Sequence, residues 1–366
     1  MVRQRAILVG AGGFGSVWVS QFLPAFSDRI EVVGLVDVDR ATLDRAGDRL
    51  GVDPARRFIE METAFAQIDA DFCILVIQPF LRWRAVNLAI GRGLPILAEK
   101  PIADTWGTSL DILHLTRAHD VKMGIVQNYP FTNRIRTVKR LLDAGTLGRI
   151  NYIVARFAAD YTIHSAGGAF RHQVPYAMLF EGAVHHFDQL RNLAGADGAL
   201  VSGLQWNPPW STFGNPPTAL FQIEMANGIV CQYELNHLAK GVQNGWHHER
   251  YRVECEFGVI EVGADGVVRT IEHLGGGRLR TTEIETVTDE PSGHHAVIAD
   301  FLNWLEGSTA PETAIEDNIY TAALVFSAVE AVQTRSTVDI AAKVKAAGLT
   351  PAAARFSAAP LPSRGP

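Results

Sequence analysis

The feature that most constrains this chain is a glycine cluster placed where an apolar run gives way to a helical pattern. Ala6–Ala11 is short and apolar and ends in glycines, and the stretch Val9-Gly10-Ala11-Gly12-Gly13-Phe14-Gly15 carries the spacing G-x-G-x-x-G. A segment with helical character, 15–25, follows directly. The three spaced glycines have separate physical tasks. Gly10 permits a tight turn, Gly12 lets backbone approach a pyrophosphate, and Gly15 lets helix and strand pack closely. The unsatisfied N–H groups at the start of the helix, including those near Gly13 and Phe14, then face the phosphates.

The same rhythm repeats through the first 125 residues. Apolar runs at 31–37, 72–77, 95–98 and 122–126 alternate with helix-length segments at 41–50, 81–91 and 105–118. The runs are continuous rather than alternating, which is the pattern of strands buried on both faces of a parallel sheet. Right-handed crossovers then predict an N-terminal Rossmann domain, a doubly wound α/β parallel sheet, over residues 1–126. Beyond it the pattern changes. A helix over 131–144 stops at Gly145, a strand follows at 149–158, and a helix is predicted over 178–193. From 200 to 285 strand signals succeed one another, with Ala226-Asn227-Gly228 marking a tight hairpin. Two helices, 293–305 and 315–333, come after them. Residues 127–340 therefore read as an α+β domain with one large, mostly antiparallel open sheet, and 341–366 as a C-terminal tail rich in Ala, Pro and Ser.

Length and charge narrow the function. A chain of 366 residues suits two domains, and a formal net charge of −6 with no Lys/Arg cluster argues against a nucleic-acid partner. No stretch approaches the length of a membrane span, and the apolar run after Arg3 and Arg5 is too short for a secretory leader, so a cytoplasmic location is expected. Cys73, Cys231 and Cys255 are scattered and lack metal-type spacing, which fits buried packing in a reducing compartment. The His pairs 185–186, 247–248 and 294–295 diverge on any helix or strand, so no metal site is expected.

Asp37 ends the second apolar run, where a carboxylate accepts hydrogen bonds from the adenosine ribose and repels a 2′-phosphate. NAD is the expected cofactor, and NADP stays open because Arg40 lies close by. Read alone, a lysine before proline at Lys100 is a solvated lysine, and a lone helical histidine at His185 is usually structural.

Several segments taken together alter that. Ala98-Glu99-Lys100-Pro101 follows the fourth strand. Leu75-Val76-Ile77-Gln78-Pro79, Gly145-Thr146-Leu147-Gly148-Arg149-Ile150 and Glu181-Gly182-Ala183-Val184-His185-His186-Phe187-Asp188 occur at the corresponding places. With the glycine loop, these resemble the Gfo/Idh/MocA family of NAD(P)-dependent oxidoreductases over about residues 5 to 340. The resemblance implies that Lys100 lies beside the nicotinamide and polarises the substrate oxygen, that the bond to Pro101 is cis, and that His185 is the general acid/base. It places Gln78, Glu99 and Gln127 in the cofactor wall with Gly10, Gly12, Gly13, Phe14, Gly15, Asp37 and Lys100. It also requires the turn of Lys100 and the helix of His185 to meet over the bound ring. Glu181, four positions before His185, either orients the imidazole or binds a substrate hydroxyl. It departs from the aspartate usual in the family, as Trp83 departs from its histidine. Asp188 either holds the ring of His185 or is structural, and His186 is expected to pack.

Tyr161 and Arg171 are candidate substrate residues, beside Asn128, His164 and Trp210. Aromatic faces with hydrogen-bonding groups suit a polyhydroxylated ligand, and Arg171 suits a carboxylate. The expected activity is hydride transfer between the nicotinamide and a carbinol of a sugar, cyclitol or sugar acid. A redox-neutral enzyme that oxidises transiently and then eliminates or epimerises is the alternative. A non-enzymatic sensor on the same fold is the third reading, disfavoured because Lys100 and His185 are both kept. The family's open sheet implies a homodimer or homotetramer formed through the second domain.

Overall fold

The computed structural model describes residues 3–162, 172, 174–241, 243–288 and 291–350. The chain divides into two compact units, Met1–Gln127 with His294–Ile319, and Asn128–Gly293 with the chain from Tyr320 onward.

The first unit is built on six parallel strands: β1 (Gln4–Val9), β2 (Ile30–Val36), β3 (Arg57–Phe58), β4 (Phe72–Leu75), β5 (Ile96–Glu99) and β6 (Met123–Val126). Their order is β3-β2-β1-β4-β5-β6, so the direction of winding reverses between β1 and β4. Every residue of β4, β5 and β6 is buried, as continuous apolar runs require of strands covered on both faces. The register aligns Val9 with Leu75, Leu75 with Ala98 and Ala98 with Ile125. The segments that follow these strands therefore leave the sheet at one carboxyl edge. The predicted helix 15–25 is present, but Trp18–Phe22 runs in π register just ahead of Pro24. Proline has no N–H to give to an α ladder and crowds the turn before it.

The segment 294–319 corrects the expected boundary, which placed it in the second domain. The helix His294–Leu305 belongs to the first unit. Phe301 packs where a Cβ on Gly124 would stand, Ile125 N–H donates to Thr313 O, and Lys122 Nζ donates to Trp304 O. Strand β3 and the helix Met61–Gln67, two and seven residues long, are too short to show a period in the sequence.

The second unit holds nine strands, β7 (Ile150–Ala158), β8 (Gly198–Trp206), β9 (Thr218–Met225), β10 (Val230–Asn236), β11 (Arg250–Cys255), β12 (Gly258–Val262), β13 (Val268–His273), β14 (Leu279–Ile284) and β15 (Val338–Asp339). Their order is β14-β13-β12-β11-β7-β10-β9-β8-β15. All neighbours are antiparallel except β7 and β10. The hairpin between β9 and β10 turns at Gly228, whose φ of 82° suits glycine. Burial alternates along β9 and β10, so one sheet face is covered and the other open. The covered face meets the helix Val184–Ala194, where Phe187 packs edge-on to Phe221 and Tyr233.

Candidate active site

The glycine loop has the close contacts its spacing predicts. Gly10 adopts φ 93°, and a Cβ there would lie 2.2 Å from the carbonyl oxygen of Val76. A Cβ on Gly15 would lie 2.3 Å from Gly10 O. Gly12 is different: the nearest atom to its Cβ position is Asp37 Oδ2 at 3.5 Å, which is ordinary contact. Asp37 Oδ2 accepts from the N–H groups of Ala11 and Gly12 at 2.8 and 2.9 Å, and Oδ1 from Asp39 at 2.9 Å. The carboxylate thus ties the loop to the end of β2 and has lone pairs left for a ribose. The N–H groups of Gly13 and Phe14 make no hydrogen bond to the described residues. An open backbone cradle at a strand-to-helix turn, with a carboxylate beside it, fits a dinucleotide's pyrophosphate and ribose.

Lys100 follows β5 at the same edge, is half-buried, and is joined to Pro101 by a cis bond. Sequence reasoning missed what holds this turn. Arg82 is fully buried and donates from Nη1 to Glu99 O at 2.6 Å and from Nη2 to Ile77 O at 3.1 Å. Burial lowers its pKa to about 10, against the opposing pull of Glu99. One guanidinium therefore clips the carbonyl before Lys100 to the segment after β4. Glu99, expected in the cofactor wall, turns its carboxylate into the unit: Oε1 accepts from Trp18 Nε1 at 3.0 Å and lies 3.7 Å from His294 Nε2. His294 in turn stacks on Phe22 at 4.3 Å. Phe14, Gln78, Phe80 and Trp83 are exposed, and Gln127 is buried just after β6.

In the second unit, Glu181 is half-buried in a π segment, Leu179–Ala183, and His185 lies in the first turn of the α-helix that follows. Such π turns often mark functional positions. The ring of His185 stacks on Tyr129 at 4.3 Å and 20°, and the opposite partner of Tyr129 is His247 at 4.4 Å and 30°. His247 holds a left-handed φ of 68°, and its N–H donates to Glu249 Oε1 at 3.0 Å and Tyr129 Oη at 3.3 Å. His186 is fully buried, with Nδ1 at 2.6 Å from Tyr233 Oη and Nε2 at 3.2 Å from Glu249 Oε1. It packs as expected, but inside a polar chain. Burial pushes the Glu249 carboxyl up, while the bond and charge of His186 and backbone donation outweigh it and hold the group below the ordinary range. Burial raises the phenols of Tyr129 and Tyr233 well above their usual value, so both stay protonated donors. Asp188 Oδ1 accepts from Thr321 at 2.6 Å and meets Arg191, which also grips Asp197 at 2.6 Å. That places Asp188 in a structural network.

Tyr161 is half-buried, with its ring 4.8 Å from that of His237. Arg171 and His164 lie outside the described residues. Tyr129, His247 and Glu249 were not anticipated. The sequence marks this place only by Asn128, one position away, and by the pair His247-His248.

The Glu249 carboxylate sets an acid limit on stability. Its pKa is depressed in the folded chain, so its contribution is complete above the unfolded range of about 4.3 and is lost as pH falls through the folded value. Thermal melts between neutrality and the acid range should show Glu249→Gln losing less stability on acidification than the parent. Parallel pH curves would refute the assignment.

Residues 4–143 match the oxidoreductase family with an NAD-binding Rossmann fold, and residues 135–261 match the GFO/IDH/MocA C-terminal domain. The chain is 35% identical over 340 residues to the uncharacterized protein y4oX of Sinorhizobium fredii, covering 90% of this chain and 93% of that one. It is 29% identical over 281 residues to inositol 2-dehydrogenase 4 of Saccharopolyspora erythraea, covering 73% and 75%. An oxidoreductase from Agrobacterium radiobacter, solved in complex with NAD+, L-tartaric acid and magnesium, superposes with a TM-score of 0.80 at 18% identity, over 93% of this chain and 100% of the other. No described helix is long and apolar enough to cross a membrane.

Proposed function

Since the chain belongs to the GFO/IDH/MocA oxidoreductase family and carries its NAD-binding Rossmann domain, we propose that it moves a hydride between NAD and a carbinol of a cyclitol, sugar or sugar acid. Lys100 polarises the substrate oxygen and His185 is the general acid/base. The observation that carries this reading is the shared carboxyl edge. The glycine cradle, the segment of Gln78, Lys100 and Gln127 all leave the parallel sheet in one row, beside the point where its winding reverses. Open α/β sheets bind ligands there.

NAD held by the glycine cradle and Asp37 would supply the hydride acceptor in the oxidising direction. The chain supplies the rest. The Lys100 ammonium donates a hydrogen bond to the carbinol oxygen and stabilises the negative charge that grows as the C–H bond breaks. His185 takes the hydroxyl proton, and the flat face of Tyr129 fixes the plane of its imidazole. The likeness to an inositol 2-dehydrogenase supports a ring polyol as first choice. The test is a panel of cyclitols, sugars and sugar acids with NAD and with NADP, followed by absorbance of the reduced nicotinamide. Net reduction with a polyol and NAD is the expected result. Conversion of substrate without net reduction would replace this reading by redox-neutral chemistry.

Assembly belongs to the same proposal. On the open face of the nine-stranded sheet Leu204 pairs with Leu220, and the two are 56% and 42% exposed, with exposed Trp206 two positions along the same strand as Leu204. Contiguous apolar surface of this kind supports a homodimer or homotetramer through that face. Light scattering should give a mass that is a multiple of the single chain, and Leu204→Asp with Leu220→Asp should reduce it to one chain. A parent protein that scatters as a single chain would refute it.

A further inference from the structure

The other half of that open face carries a charged cavity. It has a volume of about 560 Å³ and lies over β7, β11, β12 and β13, with Arg156, Arg250, Arg252 and Arg269 in its lining beside Glu261 and Asp265. Glu234, Glu254 and Glu283 pair with lining arginines in addition to those two carboxylates, so the cluster as a whole carries no positive excess and the unbalanced group is one arginine, Arg250. Three of these arginines have carboxylate partners. Arg156 Nε lies 2.9 Å from Glu234, Arg252 Nε 3.0 Å from Glu254, and Arg269 Nη2 2.7 Å from both Asp265 and Glu283. Arg250 has none among the described residues, and its Nε is buried without a hydrogen-bond acceptor.

The register sharpens the imbalance. Arg250 stands directly opposite Arg156 on the antiparallel pair β11 and β7. Facing residues on such a pair have Cβ atoms about 5 Å apart, and like charges there are destabilising. A buried guanidinium nitrogen with no acceptor adds a desolvation cost. Both costs vanish if an anion sits between the two forks, because guanidinium binds the paired oxygens of a phosphate or carboxylate in bidentate fashion. The cavity is within the range of small-molecule sites.

We propose that the Arg250–Arg156 pair binds the oxyanion group of a small phosphorylated or carboxylated molecule, on the sheet face opposite the helix that bears His185. Glu261 and Asp265 in the lining restrict the occupant to one whose remaining surface is neutral or hydroxylated.

The test is calorimetric titration of the full-length protein saturated with NADH, so that the glycine loop is filled. Inorganic phosphate and acetate are the two probes, against potassium chloride at matched ionic strength. Saturable binding of one or both is expected, and the better probe separates phosphate from carboxylate recognition. Arg250→Gln and Arg156→Gln should each weaken it at least tenfold. Arg250→Lys should retain part of it, and Arg149→Ala, on the exposed pair with Glu256, all of it. Melting curves establish that each variant is folded. Neither probe saturating, or Arg250→Gln binding as the parent does, overturns the proposal. So does an Arg250→Gln variant that changes only the mass in light scattering while the parent ignores both probes. The occupant would then be a carboxylate of a second copy.

Discussion

Lys100→Met is expected to lower turnover by about 10³-fold, the loss that follows removal of one donor to a developing oxyanion, while NADH still binds and quenches protein fluorescence normally. The methionine keeps the length and apolar stem of the lysine but offers no N–H. The turn itself is held by Arg82 and the buried Trp18–Glu99 contact, neither of which involves the ammonium. The effect should therefore fall on kcat rather than on folding. His185→Ala should cost about 10²- to 10⁴-fold, the range for a positioned proton acceptor, and part of that loss should return with added imidazole, which supplies a base to the vacated space. Recovery by imidazole is a readout that a packing role would not produce. Full activity in either variant removes that residue from the chemistry.

The glycine loop should split into two kinds of position. Gly10→Ala puts a methyl group 2.2 Å from a backbone oxygen in a chain held at φ 93°, and no side-chain rearrangement relieves it. Overpacking and left-handed strain of this kind cost about 1–3 kcal/mol each, so a fall in melting temperature is expected even without nucleotide. Gly12→Ala meets only side-chain atoms in ordinary contact, Asp37 Oδ2 and Thr42 Cγ2, each at 3.5 Å. That variant should melt close to the parent and lose NADH affinity by at least tenfold, because the added carbon occupies space meant for the pyrophosphate. Equal melting losses in the two variants would show that the loop's glycines serve folding alone.

These two cases also indicate what was readable in the chain before its structure. The loop of Gly10, Gly12 and Gly15, the alternation of apolar runs with helices, and the Asn227-Gly228 hairpin are written in neighbouring residues. Local backbone chemistry suffices to read them. Arg82 was not readable, because its task arises only when two strand ends align and two carbonyls face one buried guanidinium. The Tyr129, His185 and His247 stack draws on three separated stretches, and nothing near Tyr129 marks it as more than one aromatic after a loop. Strands of two residues, such as Arg57–Phe58, carry no period at all. Asp37 was read toward a ribose. Its hold on the N–H groups of Ala11 and Gly12 appears only once the loop folds back on it.

The return of residues 294–319 to the first unit bears on how the protein is made. During synthesis the ribosome delivers β1 to β6 long before the helix His294–Leu305 emerges. Until then the Gly124 surface lacks Phe301, and Ile125 lacks the carbonyl of Thr313. The nascent nucleotide-binding half must wait, incomplete, through the translation of about half the chain. Fragments cut after Gln127 should expose that apolar strip, aggregate on expression, and recover solubility when residues 294–319 are supplied in trans or fused by a linker.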